Sequence, residues 1–461
     1  MTQRSGRERG EPLAEPPATL PSEVWVLVAA SFVIAVGFGI LAPALPTFAV
    51  SFDVGITAAS AVISAFAFMR LAFAPASGRL VSMFGERPVY VWGLLIVALS
   101  TGACAFAQQY WQLLVFRAFG GIGSTMFTVS AVALLVRLTP PAIRGRAAGL
   151  WATSFLMGNV AGPLVGGSLV AVSLRAPFVV YAVSLLVAVF VTWIFLRRSE
   201  LAAPERTGGV PAMTVREALG HRTYLAVLGS SFANGWAVFG VRVSLIPLFV
   251  VEVLRHDSGL TGVSLAVFAA GNAAVLLLSG RLADRIGRKP LVLVGLAVSG
   301  GGTIWLGYTA TAAPFLAASL VAGLGAGVLN PPQNATVADI VGSQRRGGTV
   351  LATVQMAADV GAIIGPIATG MIADHLSYQA AFGLTGLIAL LACAGWLGAP
   401  ETLPSPAGAA ATAGAGAAAG AGPQAPPVST AARAAECGCL DEGPEVPTGE
   451  RIAGRPRHPD P

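Results

Sequence analysis

The chain has 461 residues, 55% of them hydrophobic and 11% charged, with a mean hydropathy of +0.73 and a formal net charge of +6. Soluble domains carry about 25% charged residues, so this composition excludes an ordinary soluble domain and points to a protein that crosses a membrane many times. The positive charge does not mark a nucleic-acid binder, because most of it lies in the loops on one side of the apolar runs.

Residues 1–23 are polar, and no cleavage site follows the first apolar run, so that run reads as a retained span. Runs of about 20 apolar residues predict helical spans. There are twelve: 24–50, 57–78, 89–107, 111–136, 146–170, 178–196, 224–250, 261–280, 291–308, 314–338, 349–372 and 378–397. The longest polar gap before the tail splits them six and six. The expected organisation is a cytoplasmic segment 1–23, a six-helix bundle 24–196, a cytoplasmic central loop 197–222, a second six-helix bundle 223–398 and a disordered cytoplasmic tail 399–461 rich in Ala, Gly and Pro. Of the 28 arginines and lysines, 19 fall in the N-terminus, the central loop and the loops on that same side, against Arg175 and Arg255 on the other. That bias places both termini in the cytoplasm. Cys104 and Cys393 sit in apolar runs, and Cys437 and Cys439 in the tail are too few for a zinc site, so no metal, cofactor or disulfide framework is expected.

Chain order then brings a series of glycine-rich motifs. The first is Gly78-Arg79-Leu80-Val81-Ser82-Met83-Phe84-Gly85-Glu86-Arg87, between spans 2 and 3. Span 4 carries Arg117 ahead of Gly120, Gly121 and Gly123. Span 5 holds Gly158-Asn159-Val160-Ala161-Gly162-Pro163-Leu164-Val165-Gly166-Gly167. Between spans 8 and 9 stands Gly280-Arg281-Leu282-Ala283-Asp284-Arg285-Ile286-Gly287-Arg288-Lys289. Glycines four apart let two helix backbones touch in lipid, and glycines in loops permit turns at positive φ. Near an offset of 202 residues the pattern recurs: Gly78-Arg79-Leu80 as Gly280-Arg281-Leu282, Gly121 and Gly123 as Gly323 and Gly325, Gly162-Pro163 as Gly365-Pro366. Six spans per copy make the copies parallel, an architecture of transporters with the substrate site near the midplane between halves.

These motifs resemble those of the major facilitator superfamily, and the span 5 pattern is similar to the antiporter motif of its twelve-span drug:proton exchangers. The resemblance covers about residues 24–397 and implies an all-α integral membrane fold of twelve helices in two parallel six-helix repeats. The loops at Gly78, Arg79, Ser82, Gly85 and Arg87, and at Gly280, Asp284, Arg285, Gly287 and Arg288, are then gates, with Asp284 capping span 5 of the other half and latching the cytoplasmic side shut. Ser82 stands where that motif has Asp, so the partner latch on span 11 is weaker. The resemblance implies a part in proton coupling for Arg117, with hydrogen bonding to backbone carbonyls as the alternative. It also implies a cavity walled by spans 1, 4, 7 and 10, where Phe38, Asn234, Trp236, Phe239, Arg242, Asn330, Gln333 and Asn334 are candidates for substrate contact or for hydrogen bonds between helices. Pro331 and Pro332 are expected to interrupt span 10. Gly158, Gly162, Pro163, Gly166 and Gly167 are read as a hinge and seal beside the site.

Only Arg70, Arg117, Arg242 and Asp359 are ionisable and well within spans. Intramembrane charge is costly and faces a cavity or a partner. Asp359, the sole acid, is the candidate proton carrier; the alternative is a charge-balancing partner of an arginine such as Arg242. Arg70 reads as a gate or a snorkelling side chain. The expected function is proton-coupled export of hydrophobic or amphipathic organic compounds by a monomer, with cargo, protons and the bilayer as partners; the alternative is proton-coupled uptake of a nutrient or organic anion. An enzyme is not expected, since no Ser/His/Asp or metal-spaced cluster exists.

Overall fold

The computed structural model describes residues 20–139, 143–197, 213–342, 345 and 347–403. Among these, every regular element is a helix, and twelve are long and apolar enough to cross a membrane. Spans 1 to 6 are Ser22–Val50, Ile56–Phe84, Glu86–Ala105, Tyr110–Leu138, Arg144–Val172 and Ala176–Leu196. Span 7 is Arg222–Glu252, and spans 8 to 12 are Ser258–Ile286, Arg288–Gly307, Ala312–Val341, Gly348–His375 and Tyr378–Leu397. Large apolar side chains such as Phe68, Phe190 and Leu391 stand exposed around the outside, far more than a soluble surface carries. Trp25 and Trp193 are exposed near helix ends on the N-terminal face, and Trp111 and Tyr308 near helix ends on the opposite face, the positions of aromatic belts. The chain is a multi-pass membrane protein.

The packing repeats. Span 1 lies on span 5, span 2 on span 4 and span 3 on spans 4 and 6; likewise span 7 lies on span 11, span 8 on span 10 and span 9 on spans 10 and 12. The two largest contacts between the halves are span 2 with span 11 and span 5 with span 8, with smaller ones from spans 1 and 2 to span 7. The two largest are images of each other under the repeat.

The glycine motifs expected as loops are mostly helix. Span 2 continues to Phe84 and span 8 to Ile286, so Gly78 and Gly280 are helical and one residue makes each turn. Gly85 (φ +83°) ends span 2 and starts span 3, and Gly287 (φ +107°) does the same for spans 8 and 9. A Cβ there would be strained by the backbone alone. The sequence underestimated these helices because their last turns carry charge where they leave the apolar layer.

Pro331 and Pro332 do not interrupt span 10, which runs unbroken from Ala312 to Val341. Pro332 removes the donor that would have served the Val328 carbonyl. The Ser279 hydroxyl of span 8 donates to that carbonyl at 2.7 Å, which is how lipid-embedded helices tolerate proline.

Span 7 departs from regular α-helix. Between Gly235 and Ile246 it winds as a π-helix, Trp236–Leu245, a form concentrated at functional sites. Nothing in the apolar periodicity signals it. The polar stretch after span 12 also begins differently from expectation: residues 399–403 lie against the bundle, with Ala399 buried. The remainder of the predicted tail and most of the predicted central loop lie outside the described residues.

Candidate functional site

The span 5 motif is built for close approach. A Cβ on Gly158 would come within 2.6 Å of the Ala35 Cβ, on Gly162 within 2.4 Å of the Val36 carbonyl, and on Gly166 within 2.4 Å of the Ile40 carbonyl. These three glycines therefore seat span 5 backbone-to-backbone on span 1. Gly167 turns the other way, its Cβ position 3.2 Å from the Gly262 Cα of span 8. The second copy repeats the division. Gly361 and Gly365 abut Phe232 and Trp236 of span 7, while Gly370 abuts Thr57 and Ser60 of span 2. In each motif the last glycine lies on the seam between halves.

Towards the face opposite the N-terminus that seam is closed. Asp374, at the end of span 11, accepts from the backbone N–H groups of Ile56 (3.0 Å) and Thr57 (2.8 Å) and from the Thr57 hydroxyl, so it caps span 2 of the other half. Ser60 and Ser244 also bond across it. Sequence reading passed over Asp374 because an acid just beyond an apolar run looks like a loop residue.

Among the described residues at the N-terminal face, Asp284 makes no latch to the other half. Its carboxylate is 70% exposed and pairs with Arg288 at 2.8 Å, one turn along, rather than with span 5. Arg288, expected in a gate loop, is buried; it donates to the Ala283 carbonyl and to Asp339 of span 10 at 3.1 Å. Arg285, Arg79 and Ser82 lie on the exposed last turns of spans 8 and 2, with the Ser82 hydroxyl on the Arg79 carbonyl. In the first half Glu86 pairs with Arg137, and Arg87 lines a surface cavity beside them. Glu401 accepts from the Arg288 and Lys289 backbone N–H groups at 2.9 and 3.0 Å, capping span 9, and Lys289 donates to the Leu397 and Ala399 carbonyls at the end of span 12. Burial pushes the Glu401 carboxyl up, but the backbone N–H groups of Leu403, Arg288, Lys289 and Thr402 outweigh it and hold the group below the ordinary carboxylate value.

Two adjoining cavities lie between these faces. One, of about 200 Å³, is walled mostly by the first half, by Phe38, Phe66, Arg70, Arg117 and Tyr181 among others, and by Phe239 of span 7. The second, of about 250 Å³, lies between spans 1, 5, 7 and 8 and is lined by Phe38, Pro163, Arg242, Leu265, Phe268 and Asn272, among others. Phe38 and Asn159 line both. Together they fall within the range of roughly 300–1,000 Å³ typical of small-molecule sites. Asn159, inside the glycine motif, went unnoticed in the sequence as a wall residue.

Of the predicted cavity residues, Phe38, Phe239 and Arg242 line these spaces, and the others do not. The Trp236 indole donates to Thr385 of span 12, and Gln333 bonds Ser230 and Ser231 of span 7 at 3.0 and 2.7 Å. Both are hydrogen bonds between helices. Asn234 and Asn330 are half-buried and Asn334 is exposed.

The intramembrane charges are paired otherwise than the sequence suggested. Asp359 bonds Arg70 of span 2, with Gln355 donating to the same oxygen at 3.2 Å; Arg242 is not its partner. Arg70 is the central residue of its span, far from both ends of that helix. Arg117 accepts no such role: no carbonyl among the described residues takes a bond from it, and its guanidinium lies 4.1 Å from the Phe66 ring centroid, with Nε unpartnered. Arg242 is 3% exposed, stacks 3.4 Å from the Phe268 ring centroid, and has both terminal nitrogens unpartnered. Among the described residues no group of His, Cys, Asp and Glu is placed to hold a metal ion.

Comparison with known proteins matches this arrangement to one family. The family model described as Major Facilitator Superfamily matches residues 27–265 and 227–434. The chain is 25% identical over 362 residues to the tetracycline resistance protein, class H, of Pasteurella multocida, covering 76% of this chain and 87% of that one. It is 26% identical over 367 residues to multidrug resistance protein 1 of Bacillus subtilis (strain 168), covering 76% and 89%. Its fold resembles the crystal structure of a bacterial homologue of the human lysosomal transporter Spinster in an inward-facing and occupied conformation, with a TM-score of 0.68 at 16% identity over 81% of this chain and 95% of that one. A parallel repeat of six helices, glycine-packed spans 5 and 11 at the seam, and a cavity between halves are thus accompanied by a match along most of the sequence: the chain is a transporter, not an enzyme, and belongs to the major facilitator superfamily.

Proposed function

We propose that the protein is a proton-coupled exporter of hydrophobic or amphipathic organic compounds, working by alternating access in the bacterial plasma membrane. The observation that carries this reading is the ion pair between Asp359 and Arg70. It ties span 11 to span 2 across the seam, near the middle of both helices, and Arg70 also lines the cavity that holds Arg117. Protonating Asp359 removes its charge and frees Arg70, so binding one proton loosens the central link between the halves. Such a group converts a proton into a change in the relative stability of two conformations.

Other features support the same reading. Relatives from Pasteurella and Bacillus are named as tetracycline and multidrug resistance proteins, and the cavity walls are aromatic and apolar. The arginine bias puts both termini in the cytoplasm. The face closed by Asp374 is then the outer one, and with Asp284 disengaged from span 5 the conformation is inward-facing. The protein works as a monomer, with cargo, protons and the bilayer as its partners and no cofactor.

Inverted membrane vesicles with an acid lumen test this. Adding a transported compound makes the lumen more alkaline if cargo enters as protons leave; acidification, or no change, favours the uptake alternative. Asp359→Asn is expected to abolish the proton movement while leaving cargo binding intact, and full retention of exchange places the carrier elsewhere.

A further inference from the structure

Arg242 is a charge buried without an acid. Its side chain is almost wholly enclosed, and neither terminal nitrogen has a hydrogen-bond partner among the described residues. Leaving a guanidinium desolvated and unpaired is among the costliest things a fold does. Asp359, the sole acid well within the spans, is committed to Arg70 and Gln355. Phe268 covers one face of the guanidinium, an attraction that desolvation strengthens but that leaves the N–H donors of both terminal nitrogens unused. The side chain is delivered by the π-helical turn Trp236–Leu245, so the helix itself is distorted where this charge stands. Beside it the cavity of spans 1, 5, 7 and 8 offers apolar walls in Phe38, Leu265 and Pro163, and the amides of Asn159 and Asn272. Through Phe38 and Asn159 that space adjoins the one holding Arg117, a second guanidinium with no hydrogen bond to an acid.

We propose that this cavity takes an organic anion: an amphipathic aromatic compound whose carboxylate or sulfonate lies bidentate on Arg242, with its ring system against Phe38 and towards the Arg117 cavity. An oxyanion supplies the partner that the fold withholds, and the planar fork of arginine suits two parallel N–H···O bonds. A cationic cargo would instead meet two buried like charges with no acid to neutralise it. The inference rests on the reading above, that these cavities hold the cargo, and it narrows the cargo to one charge class.

Fluorescein and rhodamine 6G share a xanthene body and carry opposite charge, so they serve as probes. Binding to the full-length protein in nanodiscs is followed by fluorescence polarisation, and transport in inverted vesicles. The wild-type protein is expected to hold fluorescein at least about tenfold more tightly than rhodamine 6G. Arg242→Gln is expected to weaken fluorescein by about tenfold or more, in line with loss of a charge-assisted bidentate pair, to leave rhodamine 6G binding unchanged or stronger, and to raise the melting temperature of the ligand-free protein. Arg242→Lys, which keeps the charge and loses the fork, is expected to fall between. Retained rhodamine 6G binding shows that the Gln variant is folded. Tighter wild-type binding of rhodamine 6G, or undiminished fluorescein binding by Arg242→Gln, overturns the proposal. Transport of rhodamine 6G but not fluorescein overturns it while leaving the export reading standing; transport of neither overturns both.

Discussion

Arg288 and Asp339 form an ion pair at the two positions where, 202 residues earlier, Glu86 and Arg137 form another with the signs exchanged. The repeat has kept the pair and reversed its polarity. Both pairs tie the start of an odd-numbered span to the end of the next, 3 to 4 and 9 to 10.

If the pair matters and its direction does not, Glu86→Arg combined with Arg137→Asp leaves a folded transporter. Each single change strands a partly buried charge. That costs about 1–3 kcal/mol, less than the 3–5 kcal/mol of a fully buried pair because both side chains keep some access to water. Thermal unfolding in nanodiscs measures this. A double variant no more stable than the worse single one contradicts it.

The link between Arg70 and Asp359 predicts a separation of stability from coupling. Arg70→Leu leaves Asp359 with Gln355 alone and is expected to cost about 2–3 kcal/mol. Adding Asp359→Leu removes the orphaned acid and recovers most of that stability. Proton exchange stays absent in the double variant. Recovered exchange there means that neither residue carries the proton.

Asp374 closes one face through three hydrogen bonds to the start of span 2. Asp374→Ala removes a cap worth about 0.5–2 kcal/mol, enough for a several-fold shift in population. Spin labels on spans 2 and 11 near that face are expected to show a larger fraction at long distance. An unaltered distance distribution assigns the closure to the glycine contacts alone.

Gly162→Ala puts a methyl group 2.4 Å from the Val36 carbonyl and forces spans 1 and 5 apart, at about 1–3 kcal/mol. Gly149 lies on the same helix with nothing within 4 Å of its Cβ position. Gly149→Ala is therefore expected to be neutral or slightly stabilising. Similar losses in melting temperature for both variants refute the packing argument.

Glu401 has its carboxyl held below the ordinary value by backbone donors. A depressed folded-state value means that its contribution is complete above the ordinary carboxylate range and is lost as the pH falls through the folded value. Acidification below about pH 4.5 is expected to release residues 399–403 from span 9, seen as faster proteolysis after span 12. Glu401→Gln is expected to show that faster cleavage already at neutral pH, and a pH-independent cleavage rate in the wild type rules the cap out.

The twelve spans and the internal repeat were legible because both are written locally, in the length of apolar runs and in the spacing of glycines. The site was legible only in part. Phe38, Phe239 and Arg242 were found because aromatic and charged groups stand out in an apolar helix, whereas Trp236 and Gln333 stand out equally and serve helix packing. Which arginine meets Asp359 depends on how two helices 289 residues apart are set against each other, and no sequence period encodes that. Asp374 and Glu401 look like solvated loop acids until the helix ends they cap are in view, and Asp339 does so until Arg288 is seen beside it. The π-helical turn of span 7 has no compositional mark at all.

The hydroxyl of Ser279 on the Val328 carbonyl pins two helices that already pack on one another and share a buried bond between Ser264 and Ser319. Sliding span 8 past span 10 exposes a carbonyl with no donor inside the hydrocarbon layer, at several kcal/mol. These two helices are consequently confined to moving as one piece. The give that a rocking transporter needs is left to the π-helical turn of span 7 and to the proline-bearing spans 5 and 11, which border that piece without being bolted to it.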